Sequence, residues 1–301
     1  MQEFYSNGKL LLTGEYVVLD GVTALAVPTK YGQSLTVENI EEQKLIWESY
    51  NHKNELWFNV EFDLLQPSTE WHATNDISKR LIQILNAVKQ LNPEFLNNKH
   101  GFKVETHLDF PNNWGLGTSS TLINNIAQWA KIDPFKLLEL TFGGSGYDIA
   151  CAKHNTAITF TLKDKKSIIK PIIFNPDFKS FLYFVHLNQK QNSRDGIKHY
   201  RKEKKNSIFE IDFINNVTQK IIACNNFDDF VELIELHETF IAKITNQVPV
   251  KNKLFSDFNG AIKSLGAWGG DFVLVASRDN PTDYFDQNNY STVLSYKDIV
   301  L

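Results

Sequence analysis

PNNWGLGTSST, Pro111 to Thr121, decides the fold: it leaves a strand-like stretch, FKVETHL at Phe102 to Leu108, and opens a helix predicted from about Thr118 to Ala130. Gly115 and Gly117 let the backbone come close to a ligand, and a helix N-terminus adds unpaired N–H groups with a partial positive charge. Such a turn is an anion site, and the hydroxyls of Thr118, Ser119 and Ser120 offer further donors or a magnesium ligand. It is not a Walker A sequence, because no Lys follows the last glycine, and it lacks the third glycine of GxGxxG. Its purely structural reading is a tight turn capped by Thr118. On this segment alone both readings stand.

Upstream, the runs LLL, YVVL, ALAV, SLTV, KLIW and LWFNV have strand spacing, separated by turn dipeptides at Asp20-Gly21 and Tyr31-Gly32. Ile77, Leu81, Ile84, Leu85, Val88 and Leu91 recur three and four apart, which predicts a helix packing on that sheet. Downstream, Asp133-Pro134 starts a second helix that runs to Phe142. A strand at Thr156 to Leu162 and a lysine-rich hairpin follow. Past Pro171 the pattern changes to a strand, FLYFVHL, and helices near Ile208 to Cys224 and Phe227 to Ile244. A domain boundary is placed near Lys170, giving residues 1–170 and 171–301. A helix, a glycine turn at Gly266 to Gly270, the strand FVLVAS and a last strand near Ser291 to Tyr296 close the chain.

The 301 residues are 42% hydrophobic and 22% charged, enough for a sizeable core and against whole-chain disorder. Lys and Arg number 31 against 35 Asp and Glu, a net charge of -4, and the longest basic run is RKEKK at Arg201 to Lys205. Neither nucleic acid nor an anionic membrane is expected as a partner. Cys151 and Cys224 form no CxxC or Cys/His cluster, which fits a reducing cytoplasm. No stretch approaches the roughly 18 apolar residues of a membrane helix, and the N-terminus has no apolar core behind a basic start. The many Lys and Asn residues read as surface composition.

Three further segments place chemistry-bearing residues at glycine turns: GKLLLTGEYVVLDG (Gly8 to Gly21), GGSGYDIACA (Gly143 to Ala152) and GAWGGDFVLV (Gly266 to Val275). Asp148 follows the second turn at a helix start, where an acidic residue commonly complements the dipole. Lys9 alone reads as a solvated lysine at a strand edge, and the third glycine turn as a bend. His237, on an apparent helix, reads as structural.

Taken in order, these segments resemble the GHMP kinase superfamily over nearly the whole chain, from Gly8 to Val275. GKLLLTGEYVVLDG resembles its first motif, PNNWGLGTSST its phosphate loop, GSGYDIACA the segment of the catalytic Asp, and GAWGGDFVLV its glycine-rich third motif. Tyr16, where mevalonate kinases typically carry His, makes the chain look more like the phosphomevalonate kinase branch. Trp114 before GLG, Thr118 and Thr121 in place of Ser and Ala, and Trp268 within the third glycine run depart from the pattern. The two indoles are expected to narrow the site or reshape the nucleotide pocket.

The resemblance implies an α+β, two-domain GHMP kinase fold, with an N-terminal α/β domain carrying the phosphate loop, a C-terminal ferredoxin-like domain, and the site in the cleft between them. It implies ATP- and Mg²⁺-dependent phosphorylation of a small-molecule acceptor, phosphomevalonate first and mevalonate second, by a monomer or homodimer; the alternatives are a non-catalytic member that binds a nucleotide or small molecule, and a sugar or homoserine kinase. Gly115, Leu116, Gly117, Thr118, Ser119 and Ser120 would cradle the triphosphate, with Ser119 on the metal. Asp148 would take the acceptor's proton and Lys9 would keep it ionised and stabilise developing charge. Lys9, Glu15, Tyr16, Ser145, Ser193 and Gly269 are the expected substrate contacts. Arg194, Lys198 and Arg201 read either as holding an anionic substrate group or as a solvated helix start, and Glu139 reads more as a solvated helix face than as a second metal ligand.

Overall fold

The computed structural model describes residues 1–97, 100–164, 166–189, 193–203, 208–268 and 270–301. Gly269 lies outside the described residues, as do the side chains of Ser193 and Arg194. In chain order the first elements are β1 (Gln2–Leu11), β2 (Ala24–Ile40), β3 (Lys44–Tyr50), β4 (Leu56–Asp63), α1 (Asp76–Leu91), β5 (Gly101–Leu108), α2 (Thr118–Ala130), α3 (Pro134–Thr141) and α4 (Tyr147–Ala152). They are followed by β6 (Ile158–Lys163), β7 (Lys166–Pro171), β8 (Leu182–His186), α5 (Ser193–Glu203), α6 (Ile208–Ala223), α7 (Phe227–Thr245) and α8 (Val250–Leu254). The last are β9 (Ala261–Ser264), β10 (Phe272–Ala276), α9 (Thr282–Gln287), β11 (Val293–Ser295) and α10 (Tyr296–Ile299).

The chain forms two units that interleave in sequence. The first holds Met1–Gly8, Tyr31–Asn112 and Leu116–Lys153; the second holds Lys9–Lys30, Asn113–Gly115 and His154–Leu301. Where the sequence pattern places one boundary near Lys170, the long strand β2 runs from one unit into the other. Its start pairs with β6, Ala24 opposite Phe160, and its end pairs with β5, Val37 opposite Val104.

In the first unit the strand order is β4-β3-β5-β2, with β3 and β5 parallel and the other pairs antiparallel. Leu45 and Trp47 of β3, Phe102 and Val104 of β5, and Leu35 and Val37 of β2 alternate onto one face. There they meet Leu81, Ile84, Leu85 and Val88 of α1 and Ile123, Ile126 and Trp129 of α2. Each such side chain contributes about 1.5–3 kcal/mol when taken out of water. The capping box of Asn75 and Ser78 starts α1, and Asp133, accepting from Phe135 N–H at 2.8 Å, starts α3 at Pro134. The turn expected at Tyr31-Gly32 is absent. Gly32 lies inside β2, where a Cβ would fall 2.3 Å from Ser6 O, so this glycine marks a close backbone approach and not a bend.

In the second unit β2 continues to β6 and β7, and an antiparallel sheet has the order β11-β8-β10-β9. All five residues of β10 are buried. That explains why FVLVA is apolar without alternation: Val273 and Val275 face Val185, Phe255, Ile262 and Phe285, and the strand's other face is covered as well. A further cluster joins Tyr16, Val17, Tyr200, Ile214, Ile241 and Trp268. YVVL, expected as a strand, is a 3-10 turn at Val17–Asp20, and β9 went unforeseen.

Candidate functional site

In the first unit the phosphate-loop candidates converge on the start of α2. The N-cap is Gly117, at φ 102°, which has no side chain to accept a first-turn amide, so the cap by Thr118 of the purely structural reading is not made. Among the described residues no side chain caps the first turn of α2, which leaves its N–H groups available as an anion site requires. Thr118 is half-buried and Ser119 exposed, whereas Leu116 is buried and anchors the loop. The Ser120 hydroxyl is turned inward and donates to Gly117 O at 2.8 Å. Behind it, Thr121 Oγ1 donates to Gln33 Oε1 at 2.7 Å and Asn125 Nδ2 to Gln33 O at 2.8 Å. Asn124 Nδ2 donates to Ser6 Oγ at 2.8 Å, and Ser6 Oγ donates to Asn125 Oδ1 at 2.6 Å. This polar core fixes α2 to the residues beneath it.

α4 packs against α2 within the same unit. Its N-cap is Gly146, so Asp148 is its second residue and not the cap. Asp148 is half-buried and its Oδ1 accepts from Ile149 N–H at 3.0 Å. Ser145 Oγ accepts from Tyr147 N–H at 3.4 Å. Glu139 is exposed on α3. Among the described residues no group of three or more His, Cys, Asp or Glu side chains is placed to hold a metal ion.

In the second unit a pocket is lined by Lys9, Leu10, Leu11, Trp114, Gly115, Leu265, Gly266, Asp271 and Phe272. Lys9 Nζ donates to Gly115 O at 2.9 Å. Asp271 closes on the same glycine from another side: a Cβ on Gly115, at φ +67°, would lie 2.2 Å from its Cγ. Trp114 stands edge-on to Phe272, with ring centroids 5.4 Å apart, and His186 beneath them donates from Nε2 to Asn113 O at 3.0 Å. Asp271 was not singled out in the sequence. The signal available was an acidic residue directly after a glycine run.

Unlike Lys9, the first-motif residues Glu15 and Tyr16 expected at the substrate are turned into the second unit's interior. Glu15 is fully buried and paired with Lys263, also fully buried. Tyr16 is 6% exposed and its hydroxyl accepts from Trp268 N–H at 3.2 Å. Trp268 is buried among Tyr16, Tyr200 and Ile241, so of the two unusual indoles Trp114 lines the pocket and Trp268 packs in the core. Burial pushes the Glu15 carboxyl up to about 7 against the pull of Lys263, and raises Glu238 as well. Burial, with the Lys263 charge nearby, holds His237 well below the usual imidazole range. Arg201, a candidate for an anionic substrate, is engaged by Asp20 at 2.9 Å, and Lys198 lies exposed beside Asp195.

No protein-family model matches the sequence, and no curated protein matches it. Solved structures do match over nearly the full length. They include mevalonate kinase of Methanococcus jannaschii (18% identity, 97% of this chain and 96% of that one, TM-score 0.69). A second is Streptococcus pneumoniae phosphomevalonate kinase in complex with phosphomevalonate and AMPPNP (14% identity, 96% of each chain, TM-score 0.69). A third is Lactococcus lactis galactokinase complexed with galactose (15% identity, 95% and 88%, TM-score 0.69). The chain has the two-domain GHMP kinase fold.

Proposed function

We propose that the protein is an ATP-dependent kinase of a small-molecule acceptor. The observation that carries this reading is the start of α2, whose N-cap Gly117 leaves the first-turn amides without a side-chain cap beside exposed Ser119. These groups fit a triphosphate: amides from Gly115 to Ser119 hold its oxygens, and the Ser119 hydroxyl is a hard oxygen donor of the kind Mg²⁺ takes. Bound nucleotide supplies the phosphoryl group, and the metal would neutralise its charge. Asp148, oriented through Ile149 N–H, accepts the acceptor's proton, and Lys9 offsets negative charge developing on the transferred oxygens. Phosphomevalonate is the first acceptor proposed and mevalonate the second, on the strength of Tyr16 in the first motif.

One observation favours a second acceptor class. The pocket that Lys9 lines is also lined by Asp271 and Trp114, residue types that suit the hydroxyls and C–H face of a sugar. An ADP-release assay with ATP and Mg²⁺ on phosphomevalonate, mevalonate, a sugar panel and homoserine decides between them. Turnover on one acceptor, abolished in Asp148→Asn while nucleotide binding persists, is the expected result. No turnover on any acceptor, or loss of ATP binding in Asp148→Asn, overturns the assignment.

A further inference from the structure

Four successive residues, Thr13 to Tyr16, are each tied to a different partner within the second unit. Thr13 Oγ1 accepts from Thr218 Oγ1 of α6 at 2.9 Å and from Leu25 N–H at 2.9 Å. Gly14 N–H donates to His237 Nε2 of α7 at 3.0 Å, which fixes the imidazole proton on Nδ1. Glu15 takes Lys263 of β9, and the Tyr16 hydroxyl takes the backbone of Trp268. Tyr16 holds φ at 61° and ψ at -48°, the centre of a strained γ-turn closed by Val17 N–H on Glu15 O at 2.7 Å, which a bulky residue keeps only when its surroundings over-determine it.

The far side of this set is held as firmly. Lys263 Nζ also donates to Ser264 O at 2.9 Å, while Ser264 N–H and Oγ–H go to Glu238 Oε2 at 3.0 Å and Oε1 at 2.7 Å. Lys263, Glu15, His237, Glu238 and Ser264 are all buried. Among the described residues Glu15 Oε2 and His237 Nδ1 have no hydrogen-bond partner, so the cluster is costly. Well-packed apolar residues of similar volume would serve stability as well or better, and the best-attested use of a buried ionic pair is to fix register.

The register at stake is visible in the chain. Leu11, two residues before Thr13, and Leu265, two residues after Lys263, both line the pocket of Lys9 and Asp271. We propose that Lys263 and Tyr16 are positioning residues, which lock the first-motif turn to the Leu265–Gly266 turn and thereby set the separation of the pocket's walls. Neither touches a ligand; they act through Glu15 and through the Trp268 backbone. The kinetic part of this proposal rests on the kinase reading above.

The test uses the full chain. Lys263→Met alone strands the buried Glu15 charge and is expected to lower the thermal midpoint. Glu15→Gln with Lys263→Met removes both charges at similar volume, and the midpoint is expected to return close to that of the wild type. In that double variant, and more mildly in Tyr16→Phe, kcat/KM for the acceptor is expected to fall, by on the order of 10²-fold in the double variant, as displaced positioning groups do. The KM for ATP should change by less than about threefold, a split that general destabilisation would not produce. The Trp114 indole N–H resonance, assigned with Trp114→Phe, should move in both. A double variant, or Tyr16→Phe where the double variant does not fold, with wild-type kcat/KM and an unmoved Trp114 resonance overturns the proposal. Should the wild type phosphorylate no acceptor, the kinase reading alone has failed, and an unmoved resonance still overturns the lock.

Discussion

Gly115→Ala tests whether Asp271 is built onto the loop glycine. The added Cβ would meet Asp271 Cγ at 2.2 Å and both carboxylate oxygens at 2.4 Å, where carbon atoms prefer about 3.5–4.0 Å. The Asp271 backbone is held, its N–H donating to Gln189 O at 2.7 Å and its C=O accepting from Leu187 N–H at 2.8 Å at φ 54°, so relief has to come from turning the carboxylate away. Overpacking of this kind costs about 1–3 kcal/mol, and Ala at φ +67° adds about 1–2 kcal/mol. The single variant should therefore lose about 2–5 kcal/mol in urea unfolding. Asp271→Gly removes the clash and leaves the strain at 115, so the double variant should recover only the overpacking part. A coupling of about 1–3 kcal/mol is expected in the cycle. Additivity within about 0.5 kcal/mol would refute the reasoning, because two side chains that compete for one volume cannot act independently.

Glu15→Gln isolates the buried carboxyl. Its folded pKa, about 7 against 4.5 when unfolded, means the native state holds the extra proton between those values, so Glu15's contribution is complete below pH 4.5 and is lost as pH rises through 7. The stability of the wild type relative to Glu15→Gln should fall by on the order of 3 kcal/mol across that window and stay flat above it. Glu238, raised, works in the same sense and His237, lowered, in the opposite one; both remain in the variant, so the difference reports Glu15 together with its coupling to them. A flat difference from pH 4.5 to 7 in urea titrations would show that Glu15 is not held against its charge. Asn226→Ala removes the side chain that accepts from Asp228 and Asp229 N–H at 2.8 and 3.1 Å and should cost about 1 kcal/mol by thermal unfolding, with KM values unchanged.

The helices of the first unit were legible because each announces itself locally. α2 spans Thr118–Ala130 as the turn-then-periodicity pattern predicts, and Asp133 before Pro134 marks the start of α3. Strand limits were less legible. ALAV and SLTV read as two strands with a turn at Tyr31-Gly32, yet they are one strand, because the glycine's role depends on Ser6 and Tyr5, distant in sequence. The site divides in the same way. Gly117, Ser119 and Asp148 sit at glycine-marked helix starts, where sequence and structure share one signal. Lys263 and Glu238 carried none: charged residues are almost always on the surface, and nothing local distinguishes a lysine that is fully buried from one in solvent. His237 reads as structural from its place on a helix, but the sequence holds no hint that its Nε2 receives Gly14 N–H across 223 positions. A motif shows where backbone is shaped to meet a ligand. The buried charges that hold that shape are specified only by the packing that brings α7 and β9 beneath it.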